Sequence, residues 1–322
     1  MGLDVITMKS EHPLPSLAYL YSPETELHEM GQGHPEQPER VRAIDRALAE
    51  RGLLDRMMRL TPEPAPDAAL LRAHGEAYLR SLTTSPPEPG GYRWLDGDTA
   101  MNRHSWRAAR LAAGAGLMAV EAVMTGAAQR AFCNVRPPGH HAERHRAMGF
   151  CMINNIAVAA AQALEVHGLD RVAIVDFDVH HGNGTEDIFT DESRVLLCST
   201  FQSPLYPYCG EDTRSDHIVN VPLPAGTDGA AYRKVFATRV VPVLERFLPE
   251  LVLFSAGFDA HRDDPLAGMN LVEDDYHWVT RTVLEVTRLS SQGRAVSFLE
   301  GGYDLDALAA SACRHVEALL TD

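Results

Sequence analysis

Val172-Ala173-Ile174-Val175 runs directly into Asp176-Phe177-Asp178-Val179-His180-His181. Apolar residues that do not alternate with polar ones mark a strand covered on both faces, and the abrupt change to acids and imidazoles marks its end. The same transition recurs at Leu251-Val252-Leu253-Phe254, which leads into Ser255-Ala256-Gly257-Phe258-Asp259-Ala260-His261-Arg262-Asp263-Asp264. Two buried strands that each end in a polar cluster place the chemistry at the carboxyl edge of a parallel sheet, where loops from neighbouring strands converge.

Working outward, helices and strands take turns. Helical spacing predicts helices over residues 105–123, 156–167, 232–247, 276–289 and 305–320, and β-branched or aromatic runs predict strands over 131–135, 172–178, 195–201, 251–258 and 295–299. Strands separated by helices of this length need crossover connections, so the expected fold class is α/β, with a mainly parallel central sheet and helices on both faces. The chain shows no internal repeat, and its Pro-rich stretches at 61–66 and 85–91 read as loops, so residues 1–322 are expected to form a single domain.

Composition excludes several functions. Of the 322 residues, 45% are hydrophobic and 23% charged, which is ordinary usage for a folded protein. Lys and Arg number 29 against 44 Asp and Glu, and the resulting formal charge of −15 repels phosphate backbones and anionic lipid, so neither direct nucleic-acid binding nor a membrane partner is expected. The cysteines, Cys133, Cys151, Cys198, Cys209 and Cys313, include no C-x-x-C pair and point to a reducing compartment rather than a disulfide framework. Residues 1–10 are too short and too polar for a signal peptide, and the apolar stretch 111–124 falls short of the roughly 20 residues a bilayer span requires. A cytoplasmic location follows as the expectation, with a homo-oligomer left open.

The polar clusters define candidate chemistry. Asp178 and His180 lie two apart on an extended chain, so their side chains leave it on the same side and can reach one ion. Asp264 can supply a third ligand, and two carboxylates with one imidazole leave a position for water. Taken singly each acid reads as a loop cap; it is their clustering after two buried strands that points to a metal. In Arg136-Pro137-Pro138-Gly139-His140-His141, one imidazole can act as base while its neighbour stays charged, with Asp176 and Asn183 as partners. Glu300-Gly301-Gly302-Tyr303 follows another strand, and its phenol can donate to a developing oxyanion.

These blocks, with Gly149-Phe150-Cys151 and Asn154-Asn155, resemble the zinc-dependent histone deacetylase family and its bacterial amidohydrolase members, from about His34-Pro35-Glu36 to the C-terminal helix. The resemblance implies a three-layer arginase/deacetylase fold and one Zn²⁺ per chain bound by Asp178, His180 and Asp264. His140 and His141 become the catalytic pair, with Asp176 supporting the first and Asn183 the second, and Tyr303 polarises the scissile carbonyl. A narrow channel for an acyl-lysine side chain is implied, walled by Phe150 beside Gly149 and, opposite, by Tyr206, where Phe is common. Asp98 or Asp96 would hold the substrate backbone. A K⁺ site is implied near Asp176, Asp178 and His180 with Ser199.

Departures refine this. Asn183 stands where class I members carry Asp, which resembles the class II branch and implies a less basic His141. Leu271 lies near the position where polyamine-selective relatives place a gatekeeper Glu, so the expected reaction is removal of acetyl or another short acyl group from the lysine ε-amine of peptides or proteins, ahead of small acylated amines. A binuclear manganese hydrolase and a non-catalytic acyl-lysine binder are the rival readings, disfavoured by His140, His141 and Tyr303.

Overall fold

The computed structural model describes residues 17–321; residues 1–10, read above for a signal peptide, lie outside them. The strands are β1 (Leu17–Leu20), β2 (Met58–Leu60), β3 (Arg93–Trp94), β4 (Ala100–Met101), β5 (Arg130–Cys133), β6 (Val172–Asp176), β7 (Val195–Gln202), β8 (Ile218–Leu223), β9 (Leu251–Ala256) and β10 (Ala295–Leu299). The α-helices are α1 (Glu39–Glu50), α2 (Asp67–Ala73), α3 (Glu76–Thr83), α4 (Ser105–Met124), α5 (Asn155–Glu165), α6 (Asn183–Phe189), α7 (Gly229–Arg239), α8 (Val241–Phe247), α9 (Glu273–Ser291) and α10 (Leu305–Leu320).

Eight strands form one sheet in the order β2-β1-β5-β10-β9-β6-β7-β8, every neighbouring pair parallel, while β3 and β4 make a separate antiparallel hairpin. Side chains alternate across the sheet. Val172 and Ile174 of β6 face a core shared with α2 to α6, whereas Ala173 and Val175 face a second core built with α1 and α7 to α10. Burial of both faces explains the unbroken apolar runs. Among the described residues no helix is long and apolar enough to cross a membrane.

The alternation expected from the sequence is present, with informative differences. The helix expected over 232–247 is two helices meeting at Val240, because Pro242, in the first turn of α8, has no N–H to continue the ladder. Strands β6 and β9 stop at Asp176 and Ala256, earlier than expected, and the residues beyond leave the sheet to build the site. Edge strand β8 has a half-exposed surface and carries Pro222, so it lacks the apolar run of its neighbours.

Candidate active site

Five adjacent strands, β5, β10, β9, β6 and β7, deliver the polar segments to one end of the sheet. The loop after β5 is held from several sides. Arg136, wholly buried, gives Nε and Nη2 to the two carboxylate oxygens of Glu36 at 2.8 and 2.7 Å. Asn155, opening α5, donates to the Pro137 carbonyl at 3.1 Å, while Asn154 caps the helix by accepting from the Ala157 amide at 3.0 Å. The histidine pair therefore projects from a loop whose backbone has little freedom.

The two rings lie 4.0 Å apart and have different partners. His140 Nδ1 is 3.0 Å from Asp176 Oδ2, and its Nε2 is 3.7 Å from Asp178 Oδ2. Burial alone would favour the neutral ring, but the Asp178 and Asp176 carboxylates outweigh it and hold the His140 pKa well above its usual value. His141 Nδ1 meets the Asn183 amide oxygen at 2.7 Å. Burial, reinforced by the charges of His140 and His180, keeps the His141 pKa well below its usual value. One imidazole is thus held cationic and its neighbour neutral.

Beside them, ligand atoms of Asp178, His180 and Asp259, all buried residues, lie within 4.8 Å of one another. His180 Nδ1 is 3.1 Å from both Asp178 Oδ1 and Asp259 Oδ2. Asp259 is the site acid that the sequence reading left unassigned, although it sits inside the quoted segment after β9. Asp264 is close by and turned differently: its Oδ2 accepts from the Tyr303 amide at 2.7 Å and its Oδ1 from the Leu266 amide at 3.0 Å. Burial, then the Asp259 charge, pushes the Asp264 carboxyl up to about 7. Two buried acids against one imidazole, with Asp264 near Asp259, are short of positive charge, which fits a divalent cation held by oxygen and nitrogen. Gly301 is required here, since a Cβ would stand 2.0 Å from Asp259 Oδ2 and its amide donates to Asp178 Oδ2 at 2.8 Å.

A pocket of about 230 Å³ opens onto this group, lined among others by Asp98, His141, Gly149, Phe150, His180, Tyr206 and Tyr303. The Tyr206 ring stands edge-on to His141 at 5.3 Å, and Phe150 edge-on to Tyr303 at 5.8 Å. Asp98 rather than Asp96 reaches the wall. Leu271 requires correction: it is 1% exposed, packed in the core under α9, and Leu266 takes the place at the pocket wall. Leu205 and Tyr208 are further lining residues that carried no motif. Ser199, expected near a K⁺, has a buried hydroxyl without a hydrogen-bond partner among the described residues.

A parallel sheet whose carboxyl edge sets a neutral imidazole, a charged one and a buried acid group around a small pocket defines a hydrolase, and relatives of known class specify the bond. The chain belongs to the histone deacetylase family, hydrolases of amide bonds: residues 34–319 match the histone deacetylase domain. It is 40% identical over 278 residues to a histone deacetylase-like amidohydrolase of Pseudomonas aeruginosa, covering 84% of this chain and 73% of that one. It is 38% identical over 304 residues to the human polyamine deacetylase HDAC10, covering 89% of this chain and 45% of that one. The crystal structure of the HDA15 HD domain superposes with a TM-score of 0.89 at 35% identity, covering 96% of this chain and 89% of that one.

Proposed function

We propose that this protein is a zinc-dependent deacylase that removes acetyl or another short acyl group from the ε-amine of lysine in peptides or proteins. The observation that carries the reading is the pocket of about 230 Å³, with Phe150 and Tyr206 in its walls and His141, His180 and Tyr303 in its lining. Its walls suit an aliphatic arm, and its small volume suits a short acyl group.

Asp178, His180 and Asp264 would hold one Zn²⁺. Asp264 is preferred over Asp259 because its amide partners Leu266 and Tyr303 line the pocket, whereas the amide partner of Asp259, Val179, does not. When bound, the ion supplies an acidified water and polarises the scissile carbonyl. The Asn183 oxygen accepts from His141 Nδ1–H, which leaves Nε2 unprotonated to take the water's proton and later return it to the leaving amine. His140, charged beside Asp176, lends positive potential. Tyr303 donates its phenol hydrogen to the oxyanion, and Asp98 accepts from the substrate backbone. A K⁺ near Asp176, Asp178 and His180 would satisfy the unpartnered Ser199 hydroxyl.

The second reading, deacetylation of polyamines or other small acylated amines, is motivated by the likeness to the human polyamine deacetylase. Against it, Leu266 makes the wall beside Tyr303 apolar, and Asp98 is the only acid among the pocket's described lining residues. Rates on an acetyl-lysine peptide and on acetylputrescine, compared with zinc-loaded protein, separate the two. Faster turnover of the peptide is expected; a preference for acetylputrescine, or no turnover of either, overturns the assignment.

A further inference from the structure

The Glu300-Gly301-Gly302-Tyr303 turn brings a phenol to the pocket, and its first residue faces the other way. Glu300 is completely buried. Its Oε2 accepts from the Gly139 amide at 2.7 Å and from the His140 amide at 3.1 Å, while Oε1 lies 3.4 Å from the Ser255 hydroxyl. The backbone of the same turn is gripped by Arg40, which donates to the Glu300 carbonyl and, through Nε at 2.7 Å, to the Gly302 carbonyl. The Arg40 guanidinium lies 4.8 Å from the centre of the Tyr303 ring. Arg40 also meets Glu36 at 3.3 Å, and Glu36 takes both forks of Arg136, the residue that begins the histidine loop.

The contacts close a ring. From Glu300 it passes to Gly139 and His140, back along the loop to Arg136, across to Glu36, on to Arg40 and back to the turn. Glu36, Arg40, Arg136 and Glu300 have no exposed surface, and Glu36 pairs with both guanidiniums. Buried ion pairs such as Glu36–Arg40 and Glu36–Arg136 contribute little net stability compared with an apolar core, so stability alone is a poor account of these two. What the ring does geometrically is tie the strand end that carries Tyr303 to the loop that carries His140 and His141.

We infer that Glu300 is a positioning residue: its carboxylate clamps the Gly139 and His140 amides and so fixes the histidine pair relative to Tyr303. This rests on the deacylase reading above for its kinetic consequence, though not for its geometry. A displacement of about 1 Å in such a group costs on the order of 10²-fold in rate.

Two substitutions separate positioning from structural support. Glu300→Leu removes the acceptor at similar volume, while Glu300→Gln keeps one oxygen for the two amides. With acetyl-lysine peptide and equal zinc content, Glu300→Leu is expected to lose about 10²-fold in kcat with KM within about threefold of wild type, and Glu300→Gln to recover most of that loss. In a His140→Ala/His141→Ala background, Glu300→Leu should add almost nothing, because both groups it positions are gone. The imidazole ¹⁵N signals of His140 and His141, read without substrate, should move in Glu300→Leu and stay near wild type in Glu300→Gln. If Glu300→Leu fails to fold, Glu300→Asp, which draws the carboxylate back by one methylene, replaces it with the same expected direction. Unchanged kcat and unmoved imidazole signals, or an undiminished loss in the His140→Ala/His141→Ala background, overturn the inference. A wild type that turns over no acylated amine sinks the deacylase reading instead, and the imidazole signals still decide the role of Glu300.

Discussion

The side-chain oxygen of Asn183 sits 2.7 Å from Nδ1 of His141. The amide orientation is set from behind, since Asn183 Nδ2 donates to Glu143 Oε1 at 2.8 Å, so the oxygen has to face the ring and Nδ1 has to carry the hydrogen. A neutral acceptor fixes the tautomer and stabilises the imidazolium less than a carboxylate would. That separates His141 from His140, whose partner Asp176 is a carboxylate.

Replacing Asn183 with Asp tests this difference. A carboxylate beside Nδ1 favours the protonated ring, so the His141 pKa rises and the neutral base is lost at a higher pH than in wild type. The acid limb of kcat/KM, which reports the base in the free enzyme, should move to higher pH. A pH–rate profile from about 5 to 9 measures it. If the limb does not move, His141 is not the base.

Tyr303 should remain a hydrogen-bond donor throughout the working range. Burial, opposed by Arg40, holds its phenol pKa well above the usual value. Tyr303→Phe removes the donor and nothing else from the pocket lining, so turnover should fall by about 10²-fold or more at unchanged zinc content. Near-normal turnover of acetyl-lysine peptide by this variant would exclude an oxyanion contact.

The acids of the centre make separable predictions. Asp264→Asn should lose stoichiometric zinc, whereas Asp259→Asn, which alters a partner of His180, should keep one zinc per chain at roughly tenfold to hundredfold weaker affinity. Metal analysis after dialysis against graded chelator distinguishes them, and the opposite ranking would make Asp259 the ligand. Complete chelation should also lower the melting temperature, because binding to the folded state alone contributes to stability and its loss leaves the acids to repel one another.

Much of this was legible because burial and chemistry left different marks. The unbroken apolar runs of β6 and β9 announced strands covered on both faces, and the acids after them announced the site. Edge strand β8 left no such mark, since one side of an edge meets solvent and its pattern is mixed. The two-residue strands of the β3–β4 hairpin that carries Asp98 are too short to show any period. Leu271 was misplaced for a different reason: between Asp264 and α9 the chain makes a bridge with His261, and spacing along a loop does not tell which apolar residue turns inward to the core. Asp259 escaped because side chains three and eight residues past the end of β9, those of Asp259 and Asp264, follow the loop's path, which residue types do not encode.

A final prediction concerns the core instead of the site. His315 is fully buried, with the rings of Phe132, Phe177, Phe254 and Phe258 at 5.7–5.9 Å. Its Nδ1 meets Thr280 Oγ1 at 2.6 Å and its Nε2 meets Ser297 Oγ at 2.8 Å. Burial, with a smaller push from His277, lowers its pKa from 6.5 to about 3. The unfolded chain therefore binds a proton on this residue at pH values where the folded chain does not. The stability tied to the neutral ring is complete above pH 6.5 and is lost as the pH falls toward 3. The loss amounts to about 1.4 kcal/mol per pH unit inside that window. His315→Gln retains hydrogen-bonding groups but cannot protonate, and every carboxylate is common to both proteins. Although the variant will be less stable at neutral pH, urea unfolding should show wild type losing about 2 kcal/mol more than the variant between roughly pH 6.5 and 5. Parallel pH dependences would mean that His315 takes up its proton in the folded state, and that its place among the four phenylalanines is more open to water than the packing around it shows.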